Sequence, residues 1–316
     1  MAFFRQNNSK EIGCEEGIGI GEAQRACPRQ NALKRSCGGA VSRDAKKERI
    51  CVMGKAIVVT SGKGGVGKTT ATVNIGAALA EQGKNVLLID ADLGLRNLDL
   101  MMGVENRIVY DVVDVLEGRC RLRQAVVRNK RNDRLALLPA SQTRNKDALK
   151  EGQLKNLIQE VRDSYDFILI DCPAGIEQGF SNAVEGAEEA VLVCTPEIAS
   201  VRDADRVAGL LAASEVEGVR LVVNRVRADL VRKREMMSVE DIEEILGLKA
   251  VGAVPEDPLV VRAANLGEPL IYSVRSSAGQ EYRKIAQKLA GLREIPDRKH
   301  GMGAWVQKLL GVKAAG

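Results

Sequence analysis

Gly62-Lys63-Gly64-Gly65-Val66-Gly67-Lys68-Thr69-Thr70 is the stretch that decides how the rest of the chain reads. It has the spacing G-x-x-x-x-G-K-[ST]. An apolar run at 56–60 precedes it and a helical pattern at 69–82 follows it, so it is a turn from strand to helix. Glycines let such a backbone wrap closely round a phosphate and turn its N–H groups inward. The positive end of the helix opening near Thr69 adds its field to theirs. In a loop of this kind Lys68 contacts the β- and γ-phosphates of a nucleotide and the Thr69 hydroxyl ligates Mg²⁺.

Downstream, short apolar runs alternate with helical patterns. Runs with strand character lie at 56–60, 86–90, 135–139, 167–171, 190–195, 219–226 and 251–254. They are near-continuous, as parallel strands buried on both faces are. Helical patterns occupy 69–82, 148–163, 200–213 and 238–246, and a last one covers about 278–292. Ser238 and Asp241 have the spacing of a capping box. The expected fold is α/β: a doubly wound, mostly parallel sheet flanked by helices, with ligands at the carboxyl ends of the strands.

Two carboxylates close the second strand. Asp90 and Asp92 stand before Gly94-Leu95-Arg96-Asn97-Leu98-Asp99. A strand end beside the phosphate crevice is where a water-activating carboxylate belongs, although one of them could instead cap the following turn. Phe167-Ile168-Leu169-Ile170-Asp171 is an apolar strand ending in an acid, the Walker B pattern, and Asp171 would hold Mg²⁺ directly or through water. The pattern is weak alone; its distance from the loop and the following Cys172-Pro173-Ala174-Gly175 support it. Gly175 and Gly179 would give a second switch loop freedom to move. Asn224, near the end of the run at 219–226, is open to two readings, a strand-end turn residue or a base contact. Pro255-Glu256-Asp257-Pro258 is a candidate to complete a base pocket.

Lys63 is not required by the basic loop pattern. With it, Lys63 to Thr69 resembles the deviant Walker A box of the MinD/ParA class of ATPases. That resemblance implies ATP and Mg²⁺ as cofactors and a homodimer that sandwiches ATP. In it Lys63 reaches the partner's phosphates, much as an arginine finger does in trans. It assigns Asp92 to orienting the attacking water, Asp90 to supporting it, and the Asn224 amide to the adenine. Gly94 to Asp99, Pro139-Ala140-Ser141-Gln142-Thr143-Arg144, Asp171 to Glu177, Ser200-Val201-Arg202-Asp203-Ala204-Asp205-Arg206 and Met236 to Asp241 resemble the MinD family in particular. The likeness runs from about residue 54 to the C-terminal end. It implies a peripheral membrane ATPase that positions the division septum. The implied partners are the division inhibitor MinC, MinE or another topological factor, and an anionic membrane surface; no nucleic acid is expected. Asp203 and Asp205 match the partner-contacting helix, and an exposed acidic helix N-terminus explains them equally. The implied location is cytoplasmic, on the inner face of the cell membrane, or the plastid stroma and inner envelope.

The C-terminus agrees independently. Met302, Trp305, Val306, Leu309 and Leu310 form one apolar stripe at helical spacing, in a stretch with basic residues and no acid. Such a helix reads as an interfacial anchor, the other reading being a helix docked on the protein's own core. The expected organisation is an extension at 1–53, an ATPase domain at 54–295, and a hinge with a membrane-targeting helix at 296–316. The extension has no sustained periodicity and reads as a disordered tail, a transit peptide or an upstream translation. Its acids, among them Glu11, Glu15, Glu16 and Glu22, argue against a transit peptide, and a disordered, non-functional extension is expected. No run of 18 apolar residues is present to span a membrane.

Composition narrows the rest. Aromatics are 3%, so aliphatic side chains must build the core. The net charge of +5 fits an anionic partner without choosing among nucleotide, membrane and nucleic acid. His300 is the one histidine, which excludes mechanisms built on several. The seven cysteines contain no C-x-x-C, and Cys120, Cys172 and Cys194 read as reduced, mostly buried thiols. That counts against a cluster-bearing redox ATPase. A DNA-partition ATPase of the ParA kind would need a basic surface in place of the amphipathic tail. A flagellar-number regulator close to MinD is the remaining rival.

Overall fold

The computed structural model describes residues 53–94, 96–142, 149–176 and 178–292. The extension before Met53, the hinge, and the helix carrying Met302, Trp305, Val306, Leu309 and Leu310 lie outside the described residues. So do Leu95, Thr143, Arg144 and Glu177.

The chain enters β1 (Lys55–Thr60), turns through the loop into α1 (Lys68–Glu81) and continues to β2 (Val86–Asp90). Three short helices follow, α2 (Leu98–Met102), α3 (Val112–Leu116) and α4 (Leu122–Ala125), then β3 (Val127–Arg128) and β4 (Leu135–Leu138). Regular alternation resumes with α5 (Gln153–Val161), β5 (Phe167–Asp171), α6 (Gln178–Glu185), β6 (Glu189–Cys194), α7 (Ile198–Ala212) and β7 (Gly218–Val226). The last part is α8 (Ala228–Arg232), α9 (Val239–Leu246), β8 (Ala250–Pro255), α10 (Leu259–Leu266) and α11 (Ser277–Leu289).

The eight strands form one sheet in the order β3-β4-β2-β5-β1-β6-β7-β8. Every pairing is parallel except the antiparallel edge of β3 on β4. Strands alternate their side chains between two faces, and both faces are covered. Val58, Leu87, Ile89, Ile168 and Ile170 pack with Leu154, Leu157, Val207 and Ile242 from α5, α7 and α9. Ile57, Val59, Leu88 and Leu169 pack on the other side with Val73, Ile75 and Leu79 of α1 and Tyr282 and Ile285 of α11. Each large aliphatic side chain fully removed from water contributes roughly 1.5–3 kcal/mol, which is how an aromatic-poor chain sustains this core.

The seven expected strands are all present, with ends within one residue of expectation. Ser238 does cap α9, accepting from the Asp241 N–H at 3.1 Å while Asp241 accepts from Ser238 N–H at 3.1 Å. The pattern at 148–163 becomes a shorter helix, α5, because Gly152 takes a left-handed conformation (φ 76°) at its N-cap. The antiparallel edge strand β3 and helices α2, α3, α4, α6, α8 and α10 were not expected. They span two to eight residues, too few to display a period.

The order β2-β5-β1 positions the site. Asp90 pairs in register with Asp171, and Asp171 with Val59, so these strands end at one level. The loop after β1, the carboxylates after β2 and the Walker B acid therefore meet at the carboxyl edge of the sheet.

Candidate nucleotide-binding site

Gly67 caps α1 in a left-handed conformation (φ 95°, ψ 25°), with no side chain bonding the first N–H groups and no acid in the first turn. Those orphan donors at Lys68, Thr69 and Thr70 are what an anion would take. The loop is clamped on two sides. The Asn224 amide, from the end of β7, donates from Nδ2 to the Val66 carbonyl at 2.7 Å. A Cβ on Gly67 would stand 2.2 Å from that nitrogen. A Cβ on Gly62 would stand 2.2 Å from the Asp203 carbonyl oxygen of α7. Only a glycine allows each approach. Lys63 is exposed, while its carbonyl accepts from the Ser61 hydroxyl at 3.0 Å. Its backbone is thus anchored and its ammonium stands in solvent.

Lys68 is buried and its Nζ donates to Asp171 Oδ1 at 3.2 Å. Burial works against the ammonium, but Asp171, together with Cys172 and Asp92, outweighs it, and the Lys68 pKa lies above the ordinary lysine value. Thr72, one turn on from Lys68, also reaches Asp171 Oδ1 at 3.2 Å and the Lys68 carbonyl at 3.1 Å. Thr69 and Thr70 are half-buried in the first turn of α1.

Asp90 is buried beside Asp171 and Asp92. Desolvation first, then the Asp171 charge, holds its carboxyl well above the usual carboxylate range. It accepts the Asp92 N–H at 3.1 Å. Asp92 itself is half-buried, at the edge of the crevice. The segment beyond is pinned by the Gly94 N–H to the Ser141 carbonyl at 3.0 Å. Arg96 grips the buried Asp99 with Nε at 2.7 Å and Nη2 at 2.5 Å. Cys172 and Cys194 are buried and their thiols are pushed up to about 12, so neither is a ready thiolate.

A cleft of about 570 Å³ adjoins Gly67, Thr70 and Asn224. Its walls include Arg225, Pro255, Asp257, Pro258 and Tyr282, so the Pro255–Pro258 turn and Asn224 line the same cleft. Arg225 has φ 58°, a costly conformation for a non-glycine residue, and it directly follows Asn224 where β7 loses register with β8.

The donor set fits a hard cation. A carboxylate at Asp171 and hydroxyls at Thr69 and Thr72 are oxygen ligands of the type Mg²⁺ takes, completed by phosphate oxygens and water. Among the described residues no group of three or more His, Cys, Asp or Glu is placed to hold a metal by itself.

The structure thus brings Gly62 to Thr70, Asp90, Asp92, Asp171 and Asn224 to one crevice. On α7, Asp203 is half-buried with its backbone against Gly62 at the edge of the crevice, and Asp205 is exposed. Sequence reasoning missed Thr72, although its i+4 spacing from Lys68 puts both on one helix face. It also missed Tyr282, which nothing in the local pattern ties to the loop.

Residues 54–212 match a family model described as "AAA domain". The septum site-determining protein MinD of Bacillus subtilis (strain 168) is 49% identical over 268 residues, 83% of this chain and 100% of that protein. In the MinC:MinD cell division protein complex of Aquifex aeolicus, the similar chain is 47% identical with a TM-score of 0.72. That match covers 78% of this chain and 98% of that one. MinD of Pyrococcus horikoshii complexed with Mg-ADP is 32% identical with a TM-score of 0.69, over 75% of this chain and 96% of that one. With a deviant phosphate loop at its crevice and a relative matched over its whole length, the chain belongs to the MinD family of septum site-determining P-loop proteins.

Proposed function

We propose that this chain is a Mg²⁺-dependent ATPase that positions the division septum, dimerising on ATP and recruiting a division inhibitor to a membrane surface. The observation that carries the reading is the buried Lys68–Asp171 pair beneath the uncapped start of α1. The loop N–H groups and the first turn of α1 take the phosphates of ATP. Lys68 exchanges Asp171 for β- and γ-phosphate oxygens, which leaves Asp171, with Thr69, to hold Mg²⁺. Bound there, Mg²⁺ would supply positive charge against that developing on the transferred phosphoryl group. Asp92 orients the attacking water. Asp90, held towards its neutral form, fixes the Asp92 backbone without adding a further negative charge. The base lies in the cleft beside Asn224.

Lys63, anchored by its carbonyl and open to solvent, acts on the phosphates of a second copy. An equivalent cation in trans is worth roughly 10³–10⁵ in rate. The contact of Gly62 with the Asp203 backbone gives the nucleotide a direct route to α7, whose Asp203 and Asp205 face partners. The partner named in the Aquifex complex is MinC, and MinE or another topological factor would stimulate hydrolysis. Among the described residues no helix is long and apolar enough to cross a membrane. Attachment then falls to the stripe Met302, Trp305, Val306, Leu309 and Leu310, on the inner face of the cell membrane or, in a plastid, on the inner envelope. One such tail binds weakly; two on a dimer raise binding by roughly 10²–10⁴ through avidity.

Nucleotide affinity, ATP-dependent dimer mass and vesicle sedimentation test this. Lys68→Ala is expected to lose ATP binding, whereas Lys63→Ala keeps it and loses the dimer and hydrolysis. Removing residues 302–316 should abolish vesicle binding and leave the dimer. Equal binding defects in the two lysine variants would remove the trans role. ATP-dependent retention on DNA with none on vesicles would favour the partition reading.

A further inference from the structure

At the opposite end of the sheet from the nucleotide crevice lies a second cleft, of about 680 Å³. Asn85, Arg134 and Tyr165 reach it from just before β2, β4 and β5. A strand of β2's five residues separates the two ends, roughly 17 Å. The segment 119–134 supplies most of the far wall and carries seven Arg or Lys against one acid. Their charges are not all alike in use. Arg119 is neutralised by Asp114 at 3.0 Å and Glu117 at 2.5 Å, and Arg131 faces Glu268 at 3.8 Å. Arg121, Arg123, Arg128 and Arg134 all line the cleft, and among the described residues none of them has an ion pair. Asp133 and Glu160 share the rim without pairing with them.

Two of these arginines are already oriented. Arg128 Nη1 donates to the Asp133 carbonyl at 2.8 Å. Arg134 Nη1 donates to the Gly83 carbonyl at 3.2 Å and to Asn85 Oδ1 at 3.3 Å. A guanidinium has five N–H groups, so each keeps donors for a ligand, in a fork whose ordering cost is already met by the fold. Between the arginines the floor is apolar, with Leu122, Val126 and the Tyr165 ring.

We propose that this cleft is a second anion site, which takes a phosphate ester on its unpaired arginines with the ester's organic part against Leu122, Val126 and Tyr165. The phosphate can belong to a soluble monoester or to a phospholipid headgroup. Neither source involves the P-loop.

The test uses the full chain saturated with ADP and Mg²⁺, so that the P-loop is filled, and the variant R121Q/R123Q. Neither side chain has a partner to lose, so thermal unfolding should be unchanged. One arm titrates sn-glycerol 3-phosphate by calorimetry. The other measures sedimentation with phosphatidylglycerol vesicles against phosphatidylcholine vesicles. Loss of two charge-assisted bonds should weaken binding roughly tenfold or more. A fall in the calorimetric arm assigns a soluble ester; a fall confined to phosphatidylglycerol vesicles assigns a headgroup. Lys130→Gln removes a charge from the same edge outside the cleft and should leave both arms unchanged. If R121Q/R123Q matches wild type in both arms, or if Lys130→Gln weakens binding equally, the site does not exist as proposed.

Discussion

Replacing Lys68 with methionine removes the ammonium and keeps most of the stem, which isolates the charge it contributes. Asp171, with its side chain 2% exposed, is then left with the Thr72 hydroxyl as its remaining side-chain donor among the described residues. Breaking a buried pair from one side costs about 3–5 kcal/mol, mostly through the uncompensated charge left behind. For a domain of this size each kcal/mol moves Tm by roughly 2–4 °C, so Lys68→Met should lower Tm by about 6–20 °C. Asp171→Asn strands the ammonium instead and should cost a similar amount. The double variant removes both charges and should return most of the loss, because a buried pair contributes little net stability over a neutral one. The raised Lys68 pKa says that burial, the largest influence, is more than offset by its anionic surroundings, with Asp171 foremost, which makes the single variants the costly ones. The assay is thermal unfolding followed by circular dichroism without nucleotide or Mg²⁺, since a ligand stabilises the native state by mass action. A shift below about 2 °C for Lys68→Met, or a double variant as unstable as the sum of the singles, would refute the coupling.

Asp92→Ala should retain ATP and accumulate a non-hydrolysing dimer, read by single-turnover hydrolysis; a wild-type rate would exclude Asp92 as the water-positioning group. Asp90→Asn tests the pH linkage. A carboxyl whose folded pKa is raised contributes stability that is complete below its unfolded value near 3.9 and is lost as pH rises through the folded value. Asp90→Asn does not titrate, so its Tm relative to wild type should increase as pH rises above about 4, the unfolded value, towards the raised folded value; a constant difference would deny the raised pKa. Gly67→Ala meets both a φ of 95° and Asn224 Nδ2 at 2.2 Å, and should cost about 1–3 kcal/mol and weaken ATP binding. Adding Asn224→Ala should restore part of the stability, and no restoration in chemical denaturation would mean that the contact with Asn224 is not the obstacle.

Local pattern carried much of this protein. The loop was readable because glycine spacing, Lys68 and Thr69 act within nine consecutive residues, between a buried run and a helix. The strands were readable because a segment buried on both faces must be apolar throughout, whatever lies beside it. The Ser238 cap was readable because both of its hydrogen bonds close within three residues. The two-residue edge strand β3 has no period to show, and its pairing with β4 had to come from the fold.

Burial patterns say which face of an element is covered and not by what. Parallel strands are joined by crossovers, so neighbours in the sheet are distant in the chain, and the insertion of β5 between β1 and β2 was decided only in three dimensions. That insertion sets Asp171 beside Asp90 and under Lys68, so that burial first and the Asp171 charge second raise the Asp90 pKa, a property no isolated carboxylate has. Asn224 reaches Val66 across 158 residues, and Asp203 abuts Gly62 through its backbone, where side-chain identity leaves no trace. The arginine cleft has the same origin. A run of basic residues reads along the chain as a solvated surface, and only packing distinguishes Arg119, satisfied by neighbouring acids, from Arg121 and Arg123, turned onto Tyr165's cleft with their charges unspent. The sequence alone thus determined the element types and the phosphate chemistry, which are local; pairing, burial of charge and the meeting of distant side chains came from the tertiary structure, because they depend on which covered face lies against which.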